Sequence, residues 1–369
     1  MEDLVTRDAP SHRIATGDDA PPRLRRALVT GSDGFIGSVL TPLLLAKGIE
    51  VVGLDTGYYR AGLLYHDGLD RPLTLTRDIR AISERDLEGC DAVVHLAELS
   101  NDPLCQHDPA KTYAINHEGS VALAMAAKRA GVSRFVYASS CSVYGASGEG
   151  LVSEASDPDP QTAYAHCKLL VEQDLSRLAD DGFSPTFLRN ATAFGASPRI
   201  RFDIVLNNLC GLAWTTGRIA MTSDGTPWRP LVHVRDICAA ICATLEAPVE
   251  VVANEVLNVG DDANNYQVRD IAEAVGRAFP NCRITFGDAG GDTRSYRVSF
   301  DKIRRLLPGF RCEWTAERGA RQLRTLFEHI EMDADEFNAA PFTRLKQLQH
   351  LLRRKLIDGD FYWRSHALS

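Results

Sequence analysis

The chain has 369 residues, enough for about two domains, and its 44% hydrophobic and 24% charged residues exclude a disordered or fibrous protein. Forty-one Lys and Arg against 49 Asp and Glu leave a formal charge of −8, which argues against nucleic acid as the main partner. Nine scattered cysteines, with no CxxC pair and no metal-type spacing to a histidine, predict a reducing compartment and no metal site.

Residues 1–26 carry acids, prolines and arginines but no apolar core of the length a signal peptide needs, so they are expected to form a flexible leader. The longest apolar runs, such as Val121 to Ala127, fall far short of the roughly 18 residues of a membrane span. These features predict a cytoplasmic protein without a membrane partner. From Ala27 onward short apolar runs recur: "ALVT" from Ala27, "EVVGLD" from Glu50, "LTLT" from Leu73, "AVVHLA" from Ala92, "RFVYASS" from Arg134 and "TFLRNATA" from Thr186. Each reads as a strand. Helical spacing of apolar residues lies between most of them, at Val39 to Lys47, Asn116 to Ala130 and Ala163 to Asp180. Strands alternating with helices predict an α/β fold with a parallel sheet covered on both faces.

The first of these strands runs into "TGSDGFIG", in which Gly31, Gly34 and Gly37 open the following helix. A glycine triplet alone is weak, but Asp55 ends the next strand 24 residues after Gly31, and the combination is a dinucleotide fingerprint. Glycines let the backbone turn tightly and approach a pyrophosphate, whose charge then sits on the helix N-terminus. Asp55 would accept hydrogen bonds from an adenosine ribose and repel a 2′-phosphate, so NAD is expected rather than NADP. Further along, "YASSCSVYG" ends a strand in Ser139 and Ser140, and "TAYAHCK" places Tyr164 and Lys168 one helical turn apart on one face. A phenol has an ordinary pKa of about 10, but a nearby ammonium and a cationic nicotinamide would stabilise its phenolate. Tyr164 could then remove a hydroxyl proton, with Ser140 hydrogen-bonded to the same oxygen. A Tyr and Lys at this spacing are common on helix surfaces; the fingerprint upstream gives this pair its meaning.

Taken together, "TGSDGFIG", "HLAELS", "SSCSVYG", "YAHCK" and "WRPLVHVRD" resemble the extended short-chain dehydrogenase/reductase family, and within it the NAD-dependent sugar-nucleotide epimerases and dehydratases. The likeness runs from Ala27 to about Leu323. It implies a Rossmann-type doubly wound parallel sheet with a smaller C-terminal substrate-binding lobe. The expected division is an NAD-binding domain over 27–195 with a returning segment near 230–262, a substrate lobe mainly over 196–330, and a helical extension over 331–369. By the same likeness Gly31, Gly34, Phe35, Ile36, Gly37, Asp55, Asp78, Ile79, Ala97, Asn116 and Ser139 line NAD, together with Tyr164 and Lys168. Ser140, Tyr164 and Lys168 form the catalytic trio. Asn208, Arg229 and Arg294 fall where relatives contact the nucleotide diphosphate, although either arginine alone could equally be a surface ion pair.

Departures from the family pattern bear on the reaction. Cys141 and Ser142 stand where 4,6-dehydratases resemble one another in carrying an Asp-Glu pair, which argues against dehydration. Thr192 and Glu98 replace an asparagine and a small residue and are expected to face the sugar. The resemblance thus implies an epimerase of a nucleotide-diphosphate sugar, acting at C4 through a transient keto-sugar. A reductase, dehydratase or decarboxylase of the same fold, or a non-catalytic NAD-sensing regulator, are the rival readings, the last disfavoured by the intact trio. A homodimer pairing through 116–129 and 163–179 is also implied. The leucines at 345, 348, 351, 352 and 356 give the extension an amphipathic helix, expected to pack or to form an oligomer face rather than lie on a membrane, since Asp358 and Asp360 follow it.

By calorimetry NAD should bind much more tightly than NADP, and Asp55→Ala should shrink that preference. Equal or tighter NADP binding to the unmodified protein would contradict the reading of Asp55.

Overall fold

The computed structural model describes residues 24–100, 105–106, 108–146, 150–288 and 294–364; all but the end of the expected leader lies outside them. Seven strands form one sheet: β1 (Arg26–Thr30), β2 (Glu50–Asp55), β3 (Leu73–Thr76), β4 (Ala92–His95), β5 (Arg134–Ser140), β6 (Ser184–Asn190) and β7 (Val256–Val259). Their spatial order is β7-β6-β5-β4-β1-β2-β3, and every neighbouring pair is parallel. The sheet is Rossmann-like. Helices on both faces explain why β4 and β6 are buried along their whole length and read as unbroken strands in sequence.

The longer helices are α1 (Gly37–Ala46), α2 (Ser120–Arg129), α3 (Ala163–Leu178), α4 (Val205–Thr216), α5 (Val234–Glu246), α6 (Val268–Ala278), α7 (Ala316–His329) and α8 (Arg344–Arg353). Leu40 and Leu44 of α1 and Ile237 and Ile241 of α5 pack on one face of the sheet with Val29 and Val136. Leu123 and Ala127 of α2 and Val171 and Leu175 of α3 cover the other face with Leu28, Val93 and Phe135. A third core joins α4, α6 and α7 through Leu206, Leu209, Val275, Leu323 and Phe327. None of the helices among the described residues is long and apolar enough to cross a membrane.

Two expected elements differ in detail. The helix expected from Asn116 begins as a wide π-helical turn over Tyr113–Gly119 and becomes regular only at Ser120. Buried Asn116 lies within that turn, and its amide accepts from the Leu99 N–H and donates to the Leu99 carbonyl, both at 2.8 Å. The run from Thr186 is likewise two strands: it leaves the main sheet at Ala191, and Thr192–Phe194 pairs instead with Leu231–His233. That transfer carries Thr192 from the sheet toward the second lobe.

The C-terminal segment ties the two parts together. Phe337 and Phe342 belong to the third core, whereas Leu348, Leu351, Ile357 and Phe361 sit with the sheet residues Leu28 and Leu54. The apolar face of α8 is therefore covered by its own chain.

Candidate active site

A cavity of about 630 Å³ opens at the carboxyl ends of the strands, where strand order reverses between β1 and β4. Gly31 has φ +70°, and a Cβ there would stand 2.9 Å from the Ala97 nitrogen; a Cβ on Gly37 would stand 2.1 Å from the Gly31 carbonyl oxygen. Only glycine lets this loop close on itself and on the end of β4. Phe35 and Ile36 continue the wall, and Asp55 accepts hydrogen bonds from the backbone N–H of Asp33 (3.1 Å) and Gly57 (2.7 Å). Burial pushes the Asp55 carboxyl above its ordinary range, against those two bonds. Asp78, paired with Arg80 at 2.7 Å, and Ile79 line the same end. Glycines that leave backbone bare at a helix start, with an acid at the end of β2, fit a dinucleotide.

At the centre of the cavity, α3 presents Tyr164 and Lys168. Thr162 caps the helix by accepting from the Ala165 N–H at 3.2 Å, which fixes where the first turn points. The Lys168 ammonium lies 5.3 Å from the Tyr164 ring centroid and 4.6 Å from that of Tyr137, and donates to the Ala138 carbonyl. Its ion-pair partner is Glu98, at 2.5 Å. The other oxygen of Glu98 accepts from the Tyr137 hydroxyl at 2.5 Å. Burial raises the Glu98 carboxyl from the ordinary range, while Lys168 and Tyr137 work against that rise. Ser140 ends β5 and its Oγ accepts from the Ser142 N–H at 3.1 Å, leaving its own proton to donate into the cavity. Cys141 is buried with its thiol on the Arg189 carbonyl at 3.1 Å, and burial lifts its pKa.

The second lobe contributes Thr192, Arg229 and Arg294 to the wall, and Arg229 donates to the Arg294 carbonyl. Three expected positions differ. Asn116 stands behind the wall, with both ends of its amide on Leu99. Asn208 is also off the wall; its amide donates to the Phe202 carbonyl at 2.9 Å, because helix α4 turns that face toward its own N-terminal loop. Glu98 borders the cavity, but its carboxylate is held by Lys168 and Tyr137 rather than left for a sugar. Ser139 lines the cavity with its hydroxyl donating to Glu172.

Sequence reasoning missed several buried charges. Glu172 pairs with Arg189 at 2.6 Å behind Ser139, and Arg201 pairs with Asp203 at 2.9 Å while reaching the Ser100 hydroxyl at 3.0 Å. Arg344 also enters the wall. The signals were present: Glu172 follows Lys168 at helical spacing, and Arg189, Arg201 and Asp203 interrupt apolar runs.

Comparison with known proteins settles the family. Residues 27–260 match the model of the NAD dependent epimerase/dehydratase family. The chain belongs to that family. A UDP-glucose 4-epimerase of Neisseria meningitidis serogroup C is 30% identical over 273 residues, spanning 64% of this chain and 78% of the relative. The UDP-glucose 4-epimerase of Bacillus subtilis strain 168 is 28% identical over 80% of this chain and 94% of its own length. Among solved structures, MoeE5 in complex with UDP-glucuronic acid and NAD is 26% identical, with a TM-score of 0.71 over 82% of this chain and 99% of that one. As in the rest of this epimerase/dehydratase family, the cofactor is NAD.

Glu98 places a negative charge against the ammonium nearest Tyr164. A carboxylate there disfavours the Tyr164 phenolate, so removing the charge favours it. In the NAD-loaded enzyme, Glu98→Gln should move the acid limb of the kcat/KM pH profile to lower pH; an unmoved limb or one displaced upward would contradict this coupling.

Proposed function

We propose that this enzyme, an NAD-dependent sugar-nucleotide epimerase of the extended short-chain dehydrogenase/reductase type, inverts C4 of a nucleotide-diphosphate sugar. The single observation that carries the reading is the Tyr164 and Lys168 pair on the cavity wall beside Ser140, with no acid at 141 or 142. UDP-glucose 4-epimerases among the relatives support the choice of reaction.

NAD, when bound, supplies the acceptor and later the donor of the carbon-bound hydrogen. Tyr164 takes the proton from the C4 hydroxyl and returns it when the opposite configuration forms. Lys168 stabilises the phenolate through its charge, and its hydrogen bond to the Ala138 carbonyl fixes the ammonium between two aromatic rings. Ser140 donates to the same sugar oxygen, which lowers the energy of the carbonyl that develops there. Arg229 and Arg294 hold the diphosphate, and Thr192 borders the sugar. Positions 141 and 142 carry no acid to protonate a departing water: Ser142 offers only a hydroxyl, and the Cys141 thiol is buried against Arg189 and held protonated.

The finer reading is a cytoplasmic homodimer pairing through 116–129 and 163–179. A reducing location is supported by the nine cysteines, none of which forms a disulfide among the described residues.

Substrate deuterated at C4 tests the reaction type. Product examined by mass spectrometry and NMR in heavy water should keep its label at C4, acquire no solvent deuterium at C5, and form without accumulation of free NADH. A product lighter by one water, or labelled at C5, would overturn the epimerase reading.

A further inference from the structure

Arg344 is the first residue of α8 and lies on the cavity wall, 4% exposed. Its backbone N–H donates to Asp203 at 3.1 Å, and its guanidinium stacks 4.0 Å from the Tyr59 ring centroid. Tyr59, Asp203 and Asp55 attract that guanidinium, but among the described residues no carboxylate forms a close ion pair with it. A cation taken largely out of bulk water is costly. Two further features add to the cost. The neighbouring Arg201 is also positive and is itself committed to Asp203 and Ser100. The first turn of a helix is the positive end of its dipole, where a cation is disfavoured. Burial and Arg201 together push Arg344 down to about 10. A chain that holds a charge under three penalties at the wall of a ligand cavity has an anion to set against it.

The layout of the cavity identifies the anion. Asp55 and the glycine loop mark the adenosine end, while Arg229 and Arg294 belong to the second lobe. Tyr59, under Arg344, follows Asp55 by four residues, and Asp55 and Arg344 attract one another across the cleft. In a dinucleotide whose adenosine ribose meets Asp55, the ligand's anionic group nearest that end would be its pyrophosphate. The segment that carries Arg344 is fastened to both sides of the cleft. Phe342 accepts from the Phe202 N–H at 2.9 Å in the second lobe. Gln347 donates to the Tyr58 carbonyl at 2.8 Å and Trp363 to the Thr56 carbonyl at 2.6 Å, both just beyond β2.

We propose that Arg344 binds the NAD pyrophosphate as a second phosphate contact beside the glycine loop, and that residues 337–363 form a strap that retains the cofactor. This rests on NAD as cofactor and not on the sugar or the reaction, so it stands or falls separately from the C4 reading.

The test uses cofactor-stripped full-length protein, NAD and adenosine as ligands, and the variants Arg344→Gln, Arg344→Lys and Lys346→Gln. Lys346 is exposed on the same helix and serves as the control. In calorimetry Arg344→Gln should weaken NAD binding by about 10- to 100-fold, the scale of a charge-assisted hydrogen bond. Arg344→Lys should retain part of the affinity, Lys346→Gln all of it, and adenosine, which lacks phosphate, should compete equally well for all four proteins. Without NAD, Arg344→Gln should melt no lower than the unmodified protein, because burial and Arg201 disfavour the charge by more than Tyr59, Asp203 and Asp55 favour it. The proposal is overturned by NAD affinity within twofold of the unmodified protein, by an equal loss for adenosine, or by a lower melting temperature without cofactor. It is also overturned if UDP-glucose binding falls while NAD binding is kept, which would assign Arg344 to the sugar nucleotide.

Discussion

The ion pair between Lys168 and Glu98 is the constraint around which the centre of the molecule is arranged. Its parts come from three elements: Glu98 follows β4, Tyr137 and Ala138 lie on β5, and Lys168 projects from α3. Bringing both charges out of water is costly, and their attraction in a low-dielectric wall roughly offsets that cost only with the extra hydrogen bonds seen here. The pair therefore contributes little net stability. Its value is position, because it fixes an ammonium 5.3 Å from the Tyr164 ring and sets how strongly that ammonium favours a phenolate.

The fold supplies the geometry for this arrangement. A parallel sheet with its order reversed between β1 and β4 leaves a crevice at the carboxyl ends of the strands, and the residues just past β1, β2, β4 and β5 all face it. The chain then leaves the sheet at Ala191, and the small sheet holding Thr192 and Arg229 closes the far side. The C-terminal segment closes a third side by packing on both cores at once. Three buried ion pairs, at Lys168, Arg189 and Arg201, and the buried cation of Arg344 are placed around this cavity and its backing.

How much of this was legible in the sequence depended on the range of the interaction. The parallel strands, α1 and α3 were legible because burial on both sheet faces leaves unbroken apolar runs and because helical spacing persists over several turns. The glycine loop, Asp55, and Tyr164 with Lys168 were legible because local geometry fixes their spacing. Glu98 was noticed as an unusual residue, but its partners lie on other elements, so its pairing with Lys168 and Tyr137 could not be read from order along the chain. The backbone partners of Asn116 and Asn208 were not legible for the same reason: an asparagine on a helix offers no sign of whether it turns to a ligand or to a backbone carbonyl. Arg344 carried no signal at all, since one arginine in the basic helix "RLKQLQHLLRRK" looks like its exposed neighbours.

The central claim is that Tyr164 is the proton acceptor, and it is tested most directly by removing only the phenolic oxygen. In Tyr164→Phe, turnover of the sugar nucleotide that the unmodified enzyme interconverts should fall by about two to four orders of magnitude, the scale of general-base catalysis, while bound NAD content stays the same. Turnover close to that of the unmodified enzyme would contradict the account.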